Sequence, residues 1–241
     1  MGDDKLFEAY QEFVRWISPD TFEVLQIVTV DISKSFRSLV VYPSGNVMEN
    51  VTRKFDSSLS KERFCGLEHF KRDKGGKEGR EKYLEIFGKV LLSHREKFAH
   101  LKAYRSSAKH VFRAHFNSFI EAGTIFVIDK NYLPWITATA IDGRYMHVEI
   151  VEELKYFKLF NTEDGPIIAV AEDAIQSNCE DSESESCDYK CEFPVDLLYK
   201  GFLISDNLAN FCRRLLEDYN NIDSPDLRSL KDFANTLTRR R

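Results

Sequence analysis

Between residues 132 and 151 apolar and polar side chains alternate along two stretches, a pattern that predicts a β-hairpin. On the first arm, 136–140, isoleucine and alanine alternate with threonine, and on the second, 145–150, aromatic and charged residues alternate with aliphatic ones. Asp142-Gly143 separates the arms and suits a tight type I′ turn, which needs positive φ at both central positions. We expect a sheet to be built around this hairpin.

Other apolar runs bounded by turn residues predict further strands. They cover residues 22–31, 36–42, 47–52, 124–129, 156–160 and 167–171, and the run 110–116 is also strand-like. Pro43-Ser44-Gly45-Asn46 is the predicted turn between the second and third of these strands.

The N-terminal residues 3–17 have the apolar spacing of an amphipathic helix. Asp3 or Asp4 can cap its start, and Pro19 follows its end. Its apolar positions, which are our candidates for self-assembly contacts, are Leu6, Phe7, Tyr10, Phe13, Val14 and Ile17. The helix can pack on its own domain or be exchanged between subunits, since a terminal element swaps easily.

Helices are also predicted over 58–72 and 80–95 and in the C-terminal part, 194–241, where Ser205-Asp206 caps one helix and Pro225 opens the last. An acidic, serine-rich loop, 172–193, precedes them. The chain is thus predicted to be one α+β, β-rich domain over 1–241. Its core, 22–171, is an antiparallel β-sandwich with a helical insertion at about 58–95, and the N-terminal amphipathic helix and the C-terminal helices are peripheral.

Charge and composition narrow the function classes. The net charge of −5 and the pI of 5.8 argue against a dedicated DNA-binding protein. No apolar run reaches the ~18 residues of a membrane span. The N-terminus has no basic and apolar signal region, and Leu6 replaces the Ser or Thr of a myristoylation site. We therefore expect a protein of the cytoplasm without a membrane partner.

The five cysteines are Cys65, Cys179, Cys187, Cys191 and Cys212. In the cytoplasm they are expected to be reduced thiols. The cluster of three in the acidic loop lacks the close Cys-x2-Cys pair and the fourth ligand of a zinc site, so no metal is expected. A bridge within that loop under oxidising conditions is the alternative.

A basic, glycine-rich segment, 71–80, lacks the spacing and the preceding strand of a phosphate-binding P-loop. It is interpreted either as a solvated loop or as a contact for phosphate, a nucleotide or a neighbouring molecule. The candidate residues are Lys71, Arg72, Lys74, Lys77 and Arg80.

Catalytic patterns are incomplete. Ser106-x-x-Lys109 and Ser205-Asp206-Asn207 match two of the three penicillin-binding signatures, but the third, Lys-Thr-Gly, is missing. The histidine spacings favour neither a metal site nor an acid–base pair. The sequence therefore predicts a protein that is not an enzyme and requires no cofactor.

Scattered short motifs resemble the polyhedrins of cypoviruses, the cytoplasmic polyhedrosis viruses of insects. In chain order they are Tyr42-x-Ser44-Gly45-x-Val47, Arg105-Ser106-Ser107-Ala108-Lys109, Pro134-Trp135 with Ala138-Thr139-x-Ile141, Asp142-Gly143, His147-x-Glu149-Ile150, Ile168-Ala169-Val170, and Asp206 followed by Phe211-Cys212-x-Arg214.

The resemblance implies a β-sandwich protein with an N-terminal helix that forms homotrimers and packs into crystals in the cytoplasm of infected cells. These occlusion bodies would embed and protect virus particles and dissolve in alkali. Some members of the family bind nucleotides between subunits, so the resemblance adds a nucleotide as a candidate ligand. The alternative is a cytoplasmic β-rich module that binds nucleotides or phosphorylated partners through the segment 71–80.

Tyrosines and lysines provide a physical route to alkaline release, because their ordinary pKa values lie near 10. Above that pH the tyrosines gain negative charge and the lysines lose positive charge, so neighbouring copies of an already acidic chain would repel one another. The candidate tyrosines are Tyr42, Tyr104, Tyr132, Tyr145 and Tyr199.

Overall fold

The computed structural model describes residues 3–17, 19–69, 76–139, 149–180, 194–218 and 225–239. Its centre is a seven-stranded mixed sheet with the strand order β3-β2-β1-β4-β7-β6-β5. The strands are β1 (Gln26–Ser33), β2 (Phe36–Tyr42), β3 (His100–Arg105), β4 (Thr124–Ile128), β5 (Glu149–Glu153), β6 (Phe157–Thr162) and β7 (Gly165–Ala171).

Strand directions change within the sheet. β1, β2 and β3 form an antiparallel meander, β1 is parallel to β4, and β4 is parallel to β7. β6 and β5 continue antiparallel from β7. As a result β1, β3, β4 and β7 all end at the same side of the sheet, which we call the carboxyl edge.

Helices cover both faces of this sheet. They are α1 (Asp3–Trp16), α2 (Pro19–Val24), α3 (Gly45–Ser60), α4 (Gly76–Ser93), α5 (Lys109–Ser118), α6 (Leu133–Thr139), α7 (Glu172–Glu180), α8 (Val195–Arg213) and α9 (Pro225–Thr238). On one face α5 contacts the sheet through Phe116, whose ring centroid lies 5.6 Å from that of Phe126 on β4. On the other face α1 packs Phe13 against Phe157 of β6.

Helix α8 is the central helix of the face that also carries α1. Almost all of its residues are buried, which explains why apolar residues surround it on all sides rather than along one stripe. Its polar residues bond to β1: Ser205 Oγ lies 2.5 Å from Thr29 Oγ1, and Asn210 Oδ1 accepts a 2.7 Å bond from Ser33. Thr29, Asp31 and Ser33 therefore point to the α8 side, because side chains alternate along a strand.

The predicted β-sandwich is not what the described residues form, since all their strands belong to one sheet and helices take the place of a second one. The predicted strand 47–52 is wrong, because it lies in α3. There the apolar spacing is helical, with Met48, Val51, Phe55 and Leu59 buried, and Ser44 caps the helix by accepting from the amide of Val47. The strand-like run 110–116 is likewise helical, in α5.

The hairpin prediction is wrong for its first arm. Residues 133–139 form α6, in which Leu133 and Ile136 are buried three positions apart. A helix turns these two side chains to one face, whereas the alternation with threonine had suggested a strand. The turn Asp142-Gly143 lies outside the described residues, and the last residues of the second arm begin β5.

Several boundaries also differ. Phe22 belongs to α2, and β1 begins at Gln26. The predicted helix 58–72 is wrong for residues 61–69, because α3 ends at Ser60 in a turn, and its residues 70–72 lie outside the described residues. Ser205-Asp206 is not a cap but lies in the middle of α8. The predicted acidic loop begins with α7, and its residues 181–193 lie outside the described part.

Cysteine chemistry differs from expectation too, since Cys65 is disulfide-bonded and the prediction of reduced thiols is wrong for it. Cys212 is free and buried. None of the helices in the described ranges combines the length and the apolar character that a bilayer crossing needs.

Candidate functional site at the carboxyl edge

Three neighbouring parallel strands place an acidic residue at the carboxyl edge. Asp31 lies near the end of β1, Asp129 directly follows β4, and Glu172 directly follows β7. The paired residues just before them are Val30 with Ile128, and Ile128 with Ala171, so the three acids occupy matching positions.

Matching positions on adjacent parallel strands are ~4.8 Å apart and point to the same side of the sheet. The backbones of the three acids therefore lie side by side, and Asp31 points to the side that α8 covers, as Thr29 does. Asp173, the next residue of α7, adds a fourth acid. We call these four residues, Asp31, Asp129, Glu172 and Asp173, the acidic crevice.

Glu172 is the most perturbed group of the acidic crevice. Burial, and then the negative charges of Asp129, Asp173 and Asp31, raise its pKa from 4.5 to about 9. Its Oε2 atom is buried and has no hydrogen-bond partner in the described part of the chain. At neutral pH this carboxyl group consequently keeps its proton.

Two further acids of the acidic crevice, Asp129 and Asp173, have hydrogen-bond partners that differ in charge. Asp129 Oδ1 accepts a 2.8 Å bond from the amide of Asn131, and Asp173 Oδ2 accepts a 2.8 Å bond from the ammonium of Lys130. The hydrogen bond to Asp173 raises the pKa of Lys130. Lys130 thus brings a positive charge to the rim of the acidic crevice.

Arg37 and Tyr132 border the acidic crevice from the other face of the sheet. Arg37 Nε donates to the Tyr132 hydroxyl at 3.2 Å, and its Nη1 donates to the carbonyl of Ser106 at 3.4 Å. Burial raises the pKa of Tyr132 to about 12, Arg37 opposes this, and Asp129 and Asp31 add to it. The guanidinium group is therefore held in place by Tyr132 and by the Ser106 carbonyl.

As they stand, the described His, Cys, Asp and Glu side chains form no group of three placed to hold a metal ion. The matching backbone positions bring the acids together, while the Glu172 side chain carries its carboxyl group into the protein, where its neutral form is favoured. A cation at this place would have to draw that side chain outward.

Most of the apolar α1 residues predicted to make self-assembly contacts pack against the core of the same chain. Phe13 and Ile17 are buried, and Leu6, Tyr10 and Val14 pack partly buried against the same core. Only Phe7 of the predicted set is exposed, by 52%. Helix α1 therefore docks on its own chain, by contact with α7 and β6.

Only part of the basic segment 71–80 belongs to the described residues, and that part does not form a site. Lys71, Arg72 and Lys74 lie outside them, whereas Lys77 and Arg80 belong to the first turns of α4. The prediction of a phosphate or nucleotide contact at 71–80 stays a prediction.

The candidate tyrosines lie in the interior, apart from Tyr145, which is outside the described residues. Tyr42, Tyr104, Tyr132 and Tyr199 are buried. Burial raises the pKa values of the first three, so their phenols ionise later than exposed ones as pH rises. The Tyr199 hydroxyl is bonded to His69 Nε2 at 2.8 Å.

The penicillin-binding residues do not come together. Ser106 donates to the carbonyl of Lys34 at 3.2 Å, and the ammonium of Lys109 lies 5.9 Å from the ring centroid of Trp135. Ser205 is buried against Thr29.

Sequence reasoning missed a histidine cluster and the acidic crevice. The Tyr104 hydroxyl lies 2.8 Å from His100 Nε2 and 2.7 Å from His115 Nδ1, an arrangement that requires α5 to be a helix beside β3. For the acidic crevice a signal existed, because the buried strands β4 and β7 are each followed directly by an acid and β1 carries Asp31 near its end.

No protein-family model, no curated protein and no solved structure matches this chain.

Proposed function

We propose that the protein binds a divalent cation in the acidic crevice and uses it to act on a phosphate ester, with hydrolysis as the simplest reaction. The observation that supports this most is the placement of Asp31, Asp129 and Glu172 at matching positions at the ends of three adjacent parallel strands. A partnerless buried oxygen on Glu172 is the second.

The location fits a ligand site. In open α/β sheets ligands bind outside the carboxyl ends of the strands, where successive connections leave the sheet in opposite directions. After β1 the chain continues to β2 on one side, and after β4 it continues through α6 to β5, β6 and β7 on the other. The acidic crevice lies between these two connections.

The chemistry of the donors fits a hard cation. Carboxylate oxygens are the ligands that Mg²⁺ and Mn²⁺ prefer. A cation would add positive charge beside these like-charged groups, of which Asp173 already pairs with Lys130. Glu172 would release its proton as its side chain turns toward the cation. Before a cation binds, a carboxyl group in such a site is expected to have a raised pKa, as Glu172 does.

The cation would polarise a phosphoryl oxygen and activate a bound water molecule. The chain would supply the positive side chains that orient the phosphate. Arg37 is suited to this because a guanidinium group binds phosphate through two parallel hydrogen bonds, and Tyr132 fixes its position. Lys130 would neutralise charge on the opposite rim.

Titration calorimetry with MnCl2 tests the cation site, and hydrolysis of bis(p-nitrophenyl) phosphate tests the reaction. We expect Mn²⁺ to bind the wild-type protein with release of protons, and to bind the Asp129→Asn and Glu172→Gln variants much more weakly. Asp226→Asn is the matched control, because Asp226 is an exposed acid paired with Lys89 away from the sheet. Equal Mn²⁺ affinity in all four proteins would refute the proposal.

Self-assembly into intracellular crystals is the second candidate function. It derives from the resemblance to polyhedrins and is supported by three exposed apolar side chains, Phe7 (52%) and Trp16 (38%) on α1 and Ile150 (45%) on β5. β5 is an edge strand of the described sheet, and its outer backbone groups, which no described strand pairs, can pair with another chain. Trimers, occluded virus particles and a nucleotide between subunits belong to this proposal.

Expression in insect cells tests it. Crystals that persist at neutral pH and dissolve at about pH 10 or above would support it. The double substitution Phe7→Ser, Trp16→Ser should then reduce crystal formation. A monomer that stays dispersed at high expression would count against it.

A further inference from the structure

A cavity of about 60 Å³ opens beside β3, which is the edge strand at the opposite end of the sheet from β5. It lies between α5 and the C-terminal end of α9. Two strands, β2 and β1, separate β3 from β4, so this cavity is distinct from the acidic crevice.

The mouth of the cavity is basic. Lys102, Arg105 and Arg239 line it, and among the described residues that line it none is acidic. The Lys102 ammonium donates to the carbonyl oxygens of Thr236 and Arg239, at 3.3 and 3.4 Å, which fixes it at the end of α9. Arg105 approaches Glu217 at 3.5 Å and keeps about half of its side chain (53%) exposed to solvent.

The interior of the cavity is apolar and firmly held. Ala108 and Val111 form one wall, at the start of α5. His115 forms another, and its Nδ1 is bonded to the Tyr104 hydroxyl at 2.7 Å, which His100 also contacts at 2.8 Å. Because this chain of three side chains spans β3 and α5, the wall keeps its shape without a ligand.

We propose that this cavity binds a small organic anion, with a carboxylate or phosphate head group at Arg105, Lys102 and Arg239 and an apolar body against Ala108 and Val111. Guanidinium and ammonium groups recognise both head groups by the same charge-assisted hydrogen bonds. An apolar pocket with a few convergent polar groups is the usual form of a small-molecule site.

Titration calorimetry with benzoate, phenyl phosphate and the neutral analogue benzyl alcohol tests this inference. We expect at least one of the anions to bind, and benzyl alcohol to bind about tenfold or more weakly, since a charged hydrogen bond is lost. The stronger anion identifies the head group. Failure of both anions to bind, or equal binding of the alcohol, would overturn the proposal.

Variants locate the binding. Val111→Trp fills the cavity, and Arg105→Gln removes a cation from its mouth, where the side chain is half exposed and its pair with Glu217 is a surface ion pair. Both should weaken anion binding about tenfold. Arg113→Gln is the control, because Arg113 lies on the outer side of α5, with its guanidinium carbon 5.1 Å from the ring centroid of Trp135. Binding that is unchanged in Arg105→Gln, or weakened equally in Arg113→Gln, would refute the site.

The proteins are treated with EDTA and then dialysed free of it before every titration, so the outcome does not depend on a cation in the acidic crevice and EDTA does not compete for the cavity. The Glu172→Gln variant should bind the anion as the wild-type protein does. Loss of anion binding in that variant would contradict the assignment to the cavity beside β3.

Discussion

Glu172 follows β7 at the position that Asp129 holds after the neighbouring parallel strand β4, and the nearness of their charges has a consequence for stability. The folded protein keeps the Glu172 proton up to about pH 9, whereas an unfolded chain releases it near 4.5. Between these values the folded state binds more protons, so stability falls as pH rises.

The Glu172→Gln variant should not show this fall in stability with rising pH, because glutamine does not titrate. We expect it to melt at a higher temperature than the wild-type protein at pH 8 and to differ little from it at pH 4. Asp226→Asn should behave oppositely, because Lys89 lowers the pKa of Asp226, and that pair stabilises the fold only above the ordinary carboxyl pKa. Thermal melts at several pH values measure both. A wild-type protein equally stable from pH 5 to 9 would contradict the first expectation.

His100 should make the protein sensitive to acid. Burial, His115 and Lys102 lower the pKa of His100 from 6.5 to about 4, so between these values only the unfolded chain takes up the proton. The resulting stability is present above about pH 6.5 and is lost as pH falls. His100→Gln should therefore lose less stability between pH 7 and 4.5 than the wild type. His110→Gln, on the exposed side of α5, is the control and should show no such change.

The Tyr104 hydroxyl joins β3 to α5 through its two histidine contacts. Tyr104→Phe keeps the buried ring and removes both bonds, which should lower the free energy of unfolding by about 1–3 kcal/mol. Urea denaturation measures this change. A change below about 0.5 kcal/mol would show that water replaces the hydroxyl at no cost.

Gly201 allows α8 to approach α3 closely. A Cβ atom at this position would lie 2.3 Å from Met48 Sδ, so Gly201→Ala should cost about 1–3 kcal/mol by overpacking. The side chain of Met48 can be shortened, and Gly201→Ala with Met48→Ala should be more stable than the sum of the two single changes predicts. Urea denaturation of the three variants forms the cycle, and strict additivity would contradict the stated contact.

For Gly45→Ala no second side-chain substitution can relieve the clash, because the atom that the new Cβ meets belongs to the backbone. Its Cβ would lie 2.0 Å from the backbone oxygen of Phe22, which cannot move without shifting α2. We expect Gly45→Ala to destabilise the fold more than Gly201→Ala in the same denaturation experiment. A smaller loss would mean that α2 is free to shift.

Much of the sheet can be predicted from local pattern, because β1, β2, β4, β6 and β7 carry dense apolar runs between turn residues. The pattern fails where a short segment fits both periods. Met48, Val51 and Phe55 follow helical spacing, but over the first six residues of that segment valine and threonine also suit a strand. Because of these errors the sequence predicted a β-sandwich, whereas the described residues form one sheet with helices on both faces.

The acidic crevice could be predicted only in part. That β1, β4 and β7 end in acids is visible in the sequence, but their adjacency depends on strand pairing between segments about a hundred residues apart. The pKa of Glu172 depends in turn on that adjacency. The histidine cluster was not predicted for a simpler reason, since the run 110–116 in α5 was interpreted as a strand.

The pairing of Thr29 with Ser205 joins residues that are 176 positions apart. During synthesis on the ribosome β1 and β2 emerge early, whereas the helix that shields them is among the last elements to be made. During most of translation the apolar side chains of this hairpin that α8 later covers are therefore exposed to solvent. A nascent chain stalled before Val195 should be a client for chaperones.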